Sequence, residues 1–82
     1  MTYDVIFSLG AAAELVKIME VLSPISALRA TEDIRHALEF DPRKSGTELS
    51  EGLLYIDREP LRAFYEIQED TMVVEVTDFR IL

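Results

Sequence analysis

The chain has no cysteine, no tryptophan and a single histidine, with only three glycines and three prolines among 82 residues. Without cysteine there is no disulfide framework and no thiolate metal site, and His36 cannot assemble a zinc site alone. Basic residues are scarce as well. Eight Lys and Arg stand against sixteen Asp and Glu, a formal net charge of −8. Nucleic-acid binding depends on neutralising phosphates, so the overall field opposes it. The longest apolar stretches are far too short to cross a bilayer, and no basic segment followed by an apolar one opens the sequence. A cytoplasmic soluble protein with no membrane contact is the expectation. The acids are mostly single and scattered, with no paired-carboxylate constellation, so no metal and no cofactor is implied.

What is present suffices for one domain spanning residues 1–82. A chain of this size buries roughly 60–65% of its extended surface, enough for one modest core. Hydrophobic residues make up 49% and charged residues 29%, which places the chain among globular rather than disordered proteins.

The opening TYDVIFS alternates with period two and is rich in strand formers. Ser8 can then cap a helix whose stripe is Ala11, Leu15, Ile18 and Leu22. Ser23-Pro24 starts a second helix at once, so the two should form a tight antiparallel hairpin. Ile25, Leu28, Ile34, Ala37 and Leu38 mark the expected inward face of the second helix, and Asp41-Pro42 ends it. Residues 41–52 read as a loop, followed by three strands, LLYID, LRAFYEI and MVVEVTDF.

The predicted order is β-α-α-β-β-β. It gives an α+β fold with a four-stranded antiparallel sheet and a helical hairpin on one face. Strict alternation turns Leu54, Ile56, Leu61, Ala63, Tyr65, Ile67, Met72, Val74 and Val76 toward the helices. Leu53, Tyr55, Asp57, Arg62, Phe64, Glu66, Val73, Glu75, Thr77 and Phe79 then share the opposite, open face. That face carries too much apolar area to stay bare in water, so a partner chain, a second copy or a substrate should cover it.

Arg62 is the residue on that face that asks for an explanation. It either pairs with Glu66, Asp57 or Glu75 on the same face or meets an anion. Five of the basic residues, Arg35, Arg43, Lys44, Arg58 and Arg62, lie between positions 35 and 62 and could converge in space, although acids are interleaved with them. For Arg43-Lys44 a solvated loop is the ordinary reading, and for His36 an exposed helix position.

Taken together, the YDVIFS strand, the alanine-bearing first helix, ALEFDP, the loop from Gly46 to Leu49, PLRAFYEI and the closing MVVEVTDF resemble the RelE/ParE superfamily, the plasmid-stabilisation type toxins of toxin–antitoxin systems. The resemblance runs almost the full length and implies the same topology. In the RelE branch it implies ribosome-dependent cleavage of messenger RNA, with Arg62 holding the scissile phosphate. Arg80 stands near a second arginine of the family, within a residue or two of its register. Tyr65 matches the family's strand tyrosine but faces the core by parity, which leaves Tyr55 as the available proton carrier. The strand LLYID stands where those ribonucleases carry lysines. Arg43, Lys44, Arg58, Phe64 and Phe79 are the candidate binding residues.

Three functions follow as expectations. The first is a toxin-like component of a type II toxin–antitoxin system, weak or non-catalytic as a ribonuclease and acting by protein binding, as a ParE-like inhibitor of a gyrase-like target would. The second is a ribonuclease of ribosome-bound message. The third is a non-toxic homodimeric binding module. A cognate antitoxin or a second copy of the chain is the expected cover for the open face.

Overall fold

The computed structural model describes residues 1–82. The first strand, β1 (Asp4–Phe7), leads into α1 (Leu9–Val21) and α2 (Pro24–Phe40). A single helical turn, α3 (Pro42–Ser45), precedes β2 (Thr47–Ser50), β3 (Leu53–Arg58) and β4 (Leu61–Gln68). A short 3-10 turn (Glu69–Thr71) then hands the chain to β5 (Val73–Ile81).

Local chemistry sets these boundaries. The Ser8 hydroxyl accepts a hydrogen bond from the Ala11 amide at 3.0 Å, satisfying one of the donors that a helix start leaves unpaired. Ser23 holds the same position before Pro24. Asp41 does two jobs. Its amide donates to the Ala37 carbonyl at the end of α2, and its carboxylate accepts from the Lys44 amide, so the residue that stops one helix caps the next. The β2–β3 turn needs Gly52, which sits at φ +82°, where an L side chain is strained.

The five strands form one sheet in the order β1-β5-β4-β3-β2. The class is α+β, as expected from the sequence, but two features of the sheet differ from the alternation reading. β1 runs parallel to β5, so the sheet is mixed rather than wholly antiparallel. Residues 47–50, read as loop, add an edge strand paired with β3. All four of those residues are exposed, so no buried face imposes the alternation that would have announced a strand.

A third difference carries chemical weight. β4 and β5 pair regularly from Gln68–Val73 to Tyr65–Val76, and then Phe64 is opposite Asp78. Thr77 is the extra residue of a β-bulge. Beyond it the faces of β5 exchange. Phe79, expected on the open face, is fully buried and meets Phe7 edge-on at 5.4 Å, while Arg80 comes to the open face.

The core lies between the sheet and the helices. Ala11, Leu15 and Ile18 of α1 and Ala30, Ile34 and Leu38 of α2 pack on Leu54, Ile56, Leu61, Ala63, Tyr65, Val74, Val76 and Phe79. The early part of α2 is turned from the expected direction. Ile25 and Leu28 are exposed, and Ala27, Ala30 and Thr31 occupy the buried positions. Met72, expected in the core, is half-buried at φ 56° where the chain enters β5.

Candidate functional site

The open face of the sheet gathers Tyr55 and Asp57 from β3, Arg62 and Phe64 from β4, and Asp78 and Arg80 from β5. Register dictates the grouping. Asp57 is opposite Arg62, which is opposite Arg80, and in the neighbouring row Tyr55 is opposite Phe64, which is opposite Asp78. Residues opposite one another in antiparallel strands share a face at about 4.5–5.5 Å between Cβ atoms.

Arg62 is already engaged. Its Nε donates to Asp57 Oδ1 at 2.7 Å and its Nη2 to Asp57 Oδ2 at 2.9 Å, the two-pronged geometry in which guanidinium and carboxylate match best. The guanidinium carbon also lies 4.2 Å from the centre of the Tyr55 ring, a cation–π stack. Tyr55 in turn approaches Phe64 with ring centroids 6.5 Å apart. The Arg62 bonds hold the Asp57 carboxyl below its ordinary range, against a smaller opposing effect of burial. The Arg62 guanidinium is raised by the same bonds. Of the three carboxylates that the sequence offered as its partners, the β3–β4 register selects Asp57.

Arg80 Nε donates to Asp78 Oδ2 at 3.1 Å. The bulge at Thr77 places Asp78 and Arg80 together on the open face. Two guanidinium groups on adjacent strands could grip one phosphate between them, but each has a carboxylate of its own. An anion approaching either guanidinium competes with that carboxylate.

The other basic candidates do not join this group. Arg43 donates to Glu69 at 2.8 Å, and Glu69 also accepts from the Tyr3 hydroxyl at 3.0 Å, so α3 is tied to the turn before β5 and to the segment leading into β1. These two bonds, Arg43's first, hold the Glu69 carboxyl below its usual range. Lys44 is exposed on α3, and Arg58 reaches back to the Asp57 carbonyl from a position that pairs with the buried Leu61. Arg35 is bound on α2 by Glu32 and Glu39. The five basic residues between positions 35 and 62 are therefore dispersed, four of them tied to oxygen acceptors. His36 is exposed, as expected, and tilts against Phe40 at 4.9 Å.

Tyr65 faces the core, as its parity required, and has a structural partner. Its hydroxyl donates to the Pro42 carbonyl at 2.5 Å, with the pKa pushed up to about 12 by burial. Gly46 lies against that hydroxyl and against the Tyr55 carbonyl, leaving no room for a β-carbon. Alternation in the sequence misplaced Phe79 and left the face of Arg80 unassigned. The Thr-Asp pair before them, in which Thr77 donates to the Phe64 carbonyl and Asp78 accepts from the Phe79 amide, is the local sign of the bulge.

No metal-binding group of three or more His, Cys, Asp or Glu is present, and no helix is long and apolar enough to cross a membrane. Neither a family model nor a curated protein matches the sequence. Solved structures that match the fold include three from toxin–antitoxin systems. A chain of the toxin–antitoxin complex RelBE2 from Mycobacterium tuberculosis superposes with a TM-score of 0.86 at 22% identity, covering 100% of this chain and 93% of its own. The chromosomal ParDE toxin–antitoxin system of P. aeruginosa gives 0.72 at 19% identity, over 98% and 96% of the two chains. The archaeal RelE–RelB complex from Pyrococcus horikoshii gives 0.69 at 20% identity, over 99% and 96%. This chain therefore shares its overall fold with chains of these RelBE2, ParDE and RelE–RelB complexes.

Proposed function

We propose that residues 1–82 form the toxin-fold member of a type II toxin–antitoxin pair, weak or non-catalytic as a ribonuclease and acting by binding protein in the cytoplasm. The likeness to chains of RelBE2, ParDE and RelE–RelB complexes supports the partnership with an antitoxin. The observation that carries the non-catalytic part is the neutralisation of both open-face arginines. Arg62 is forked onto Asp57 and Arg80 is paired with Asp78, in a chain whose net charge is −8. A phosphodiester entering this face meets compensated cations and a repulsive field.

The ribonuclease reading has two observations in its favour, the direct register of Arg62 with Arg80 and the stack of Arg62 on Tyr55. In that reading Arg62 and Arg80 hold the phosphate and Tyr55 carries the proton, after Asp57 and Asp78 have let go.

Controlled expression in bacteria separates the two. The expected result is intact messenger RNA in cells making the folded chain, with message equally intact in cells making an Arg62→Ala variant. Growth arrest with cleaved message, abolished by that substitution, would establish the ribonuclease instead. Arrest with intact message would support inhibition of a protein target.

A further inference from the structure

The open face has a second feature, separate from its arginines. Glu66 on β4 and Glu75 on β5 are direct cross-strand partners. Like charges so placed repel one another, and neither glutamate takes part in any ion pair of the chain. On the far side of β5, β1 sets Ile6 beside Glu75 and Asp4 beside Val73. On the far side of β4, Leu53 lies one position beyond the Leu54–Tyr65 pair, next to Glu66. One row across four strands therefore reads Ile6, Glu75, Glu66, Leu53, two acids between two apolar side chains. Ile6 is 46% exposed, and Leu53, Phe64 and Val73 are half-buried with no helix of this chain over them.

Building on the reading of this chain as a protein-binding toxin fold, we propose that the row seats one Lys or Arg side chain of a partner segment between Glu66 and Glu75. Apolar neighbours of that residue cover Ile6, Val73, Leu53 and Phe64. A cation between the two carboxylates replaces their repulsion with charge-assisted hydrogen bonds, and the planar fork of Arg suits two acceptors better than the point charge of Lys. Charge decides against a second copy as the occupant. Each copy carries −8, and the two arginines that this face could offer already have Asp57 and Asp78. The same acids exclude a nucleic acid strand. The partner is thus a basic, apolar-flanked polypeptide segment.

The chain has no tryptophan, so a single Trp in an added peptide reports binding without interference. The probe is a nine-residue peptide alternating leucine and arginine, with Trp in place of one leucine, beside a twin carrying glutamine for arginine. The arginine peptide is expected to bind and the glutamine twin to bind at least about tenfold more weakly. A Glu66→Gln, Glu75→Gln double variant should lose affinity for the arginine peptide by at least about tenfold as well. Glu20→Gln, on the exposed side of α1, should leave it unchanged. Without any peptide, the double variant should unfold at a higher temperature than the parent, because the repulsion is gone. Equal binding of the two peptides, no binding of the arginine peptide, an unchanged affinity in the double variant or an unraised unfolding midpoint would each overturn the seat. Those failures leave the protein-binding reading standing if message stays intact in cells, whereas cleaved message removes that reading whatever the peptides do.

Discussion

Arg62 and Arg80 stand in direct register across β4 and β5, yet each guanidinium is turned to a carboxylate of its own, Asp57 and Asp78. Two cations side by side on a sheet repel, and the two aspartates offset that repulsion. They also take two donors of Arg62 and the Nε of Arg80, so a phosphate has to compete with both carboxylates.

Removing the aspartates should therefore uncover an anion site. An Asp57→Asn, Asp78→Asn variant is expected to bind a short single-stranded RNA that the parent does not, with affinity falling steeply as salt rises. Titration of a labelled oligonucleotide at two salt concentrations checks this. A variant as indifferent to RNA as the parent would mean that the arginines are not placed to share a phosphate.

The exchange of faces at the bulge predicts unequal costs for two phenylalanines. Phe79→Ala removes a fully buried ring and should destabilise by about 3–5 kcal/mol, a large share of what so small a domain has. Phe64→Ala, half-buried on the open face, should cost clearly less. Denaturant melts of the two variants decide the order.

Tyr65 sets an alkaline limit. Its folded pKa is raised from 10.0 to about 12, so ionisation of the hydroxyl favours the unfolded chain. The resulting stability is present in full below about pH 10 and is lost as the pH rises toward about 12. Tyr65→Phe should make the alkaline fall in unfolding midpoint shallower. At neutral pH it should cost about 1 kcal/mol, because the Pro42 carbonyl loses its donor.

At the acid end the signs reverse. Asp57 and Glu69 both have depressed carboxyl pKa values, so their contributions are present above the ordinary carboxylate range and are lost as pH falls through the folded values. Both pairs are exposed and the effect is screened. An Asp57→Asn, Glu69→Gln variant should show a flatter decline in unfolding midpoint between about pH 6 and about pH 2, measured at low salt.

Gly52 offers a test of backbone alone. A β-carbon there would touch nothing within 4 Å, so the cost of Gly52→Ala comes from its φ of +82°. It should be about 1–2 kcal/mol. A smaller loss would mean that the β2–β3 turn relaxes to another form.

Much of the architecture was legible in the sequence. Ser8, Ser23-Pro24 and Asp41-Pro42 mark helix ends through their own chemistry, and Leu54, Ile56, Leu61, Ala63 and Tyr65 alternate without interruption because β3 and β4 pair regularly over that stretch. What escaped depends on distant partners. Strand direction leaves no periodicity, so the parallel run of β1 beside β5 was hidden. In α2 the buried positions went to Ala27 and Ala30, whose small side chains read more weakly than Ile25 and Leu28. The site was half legible for the same reason. Tyr55, Asp57, Arg62 and Phe64 follow from parity on β3 and β4, whereas Arg80 and Phe79 change places with one inserted residue on β5.

Thr77 thus sets the reading frame of the last strand. Everything before it is written in one phase and everything after it in the other. Were Thr77 paired in the ladder instead of bulged out of it, strict two-residue alternation would continue, bring the Phe79 ring out into solvent and drive the Arg80 guanidinium into the place the ring fills between Phe7 and Ala63. The same letters in the same order would then spell a greasier surface and a charged interior, so one threonine decides what the end of this chain says to the outside.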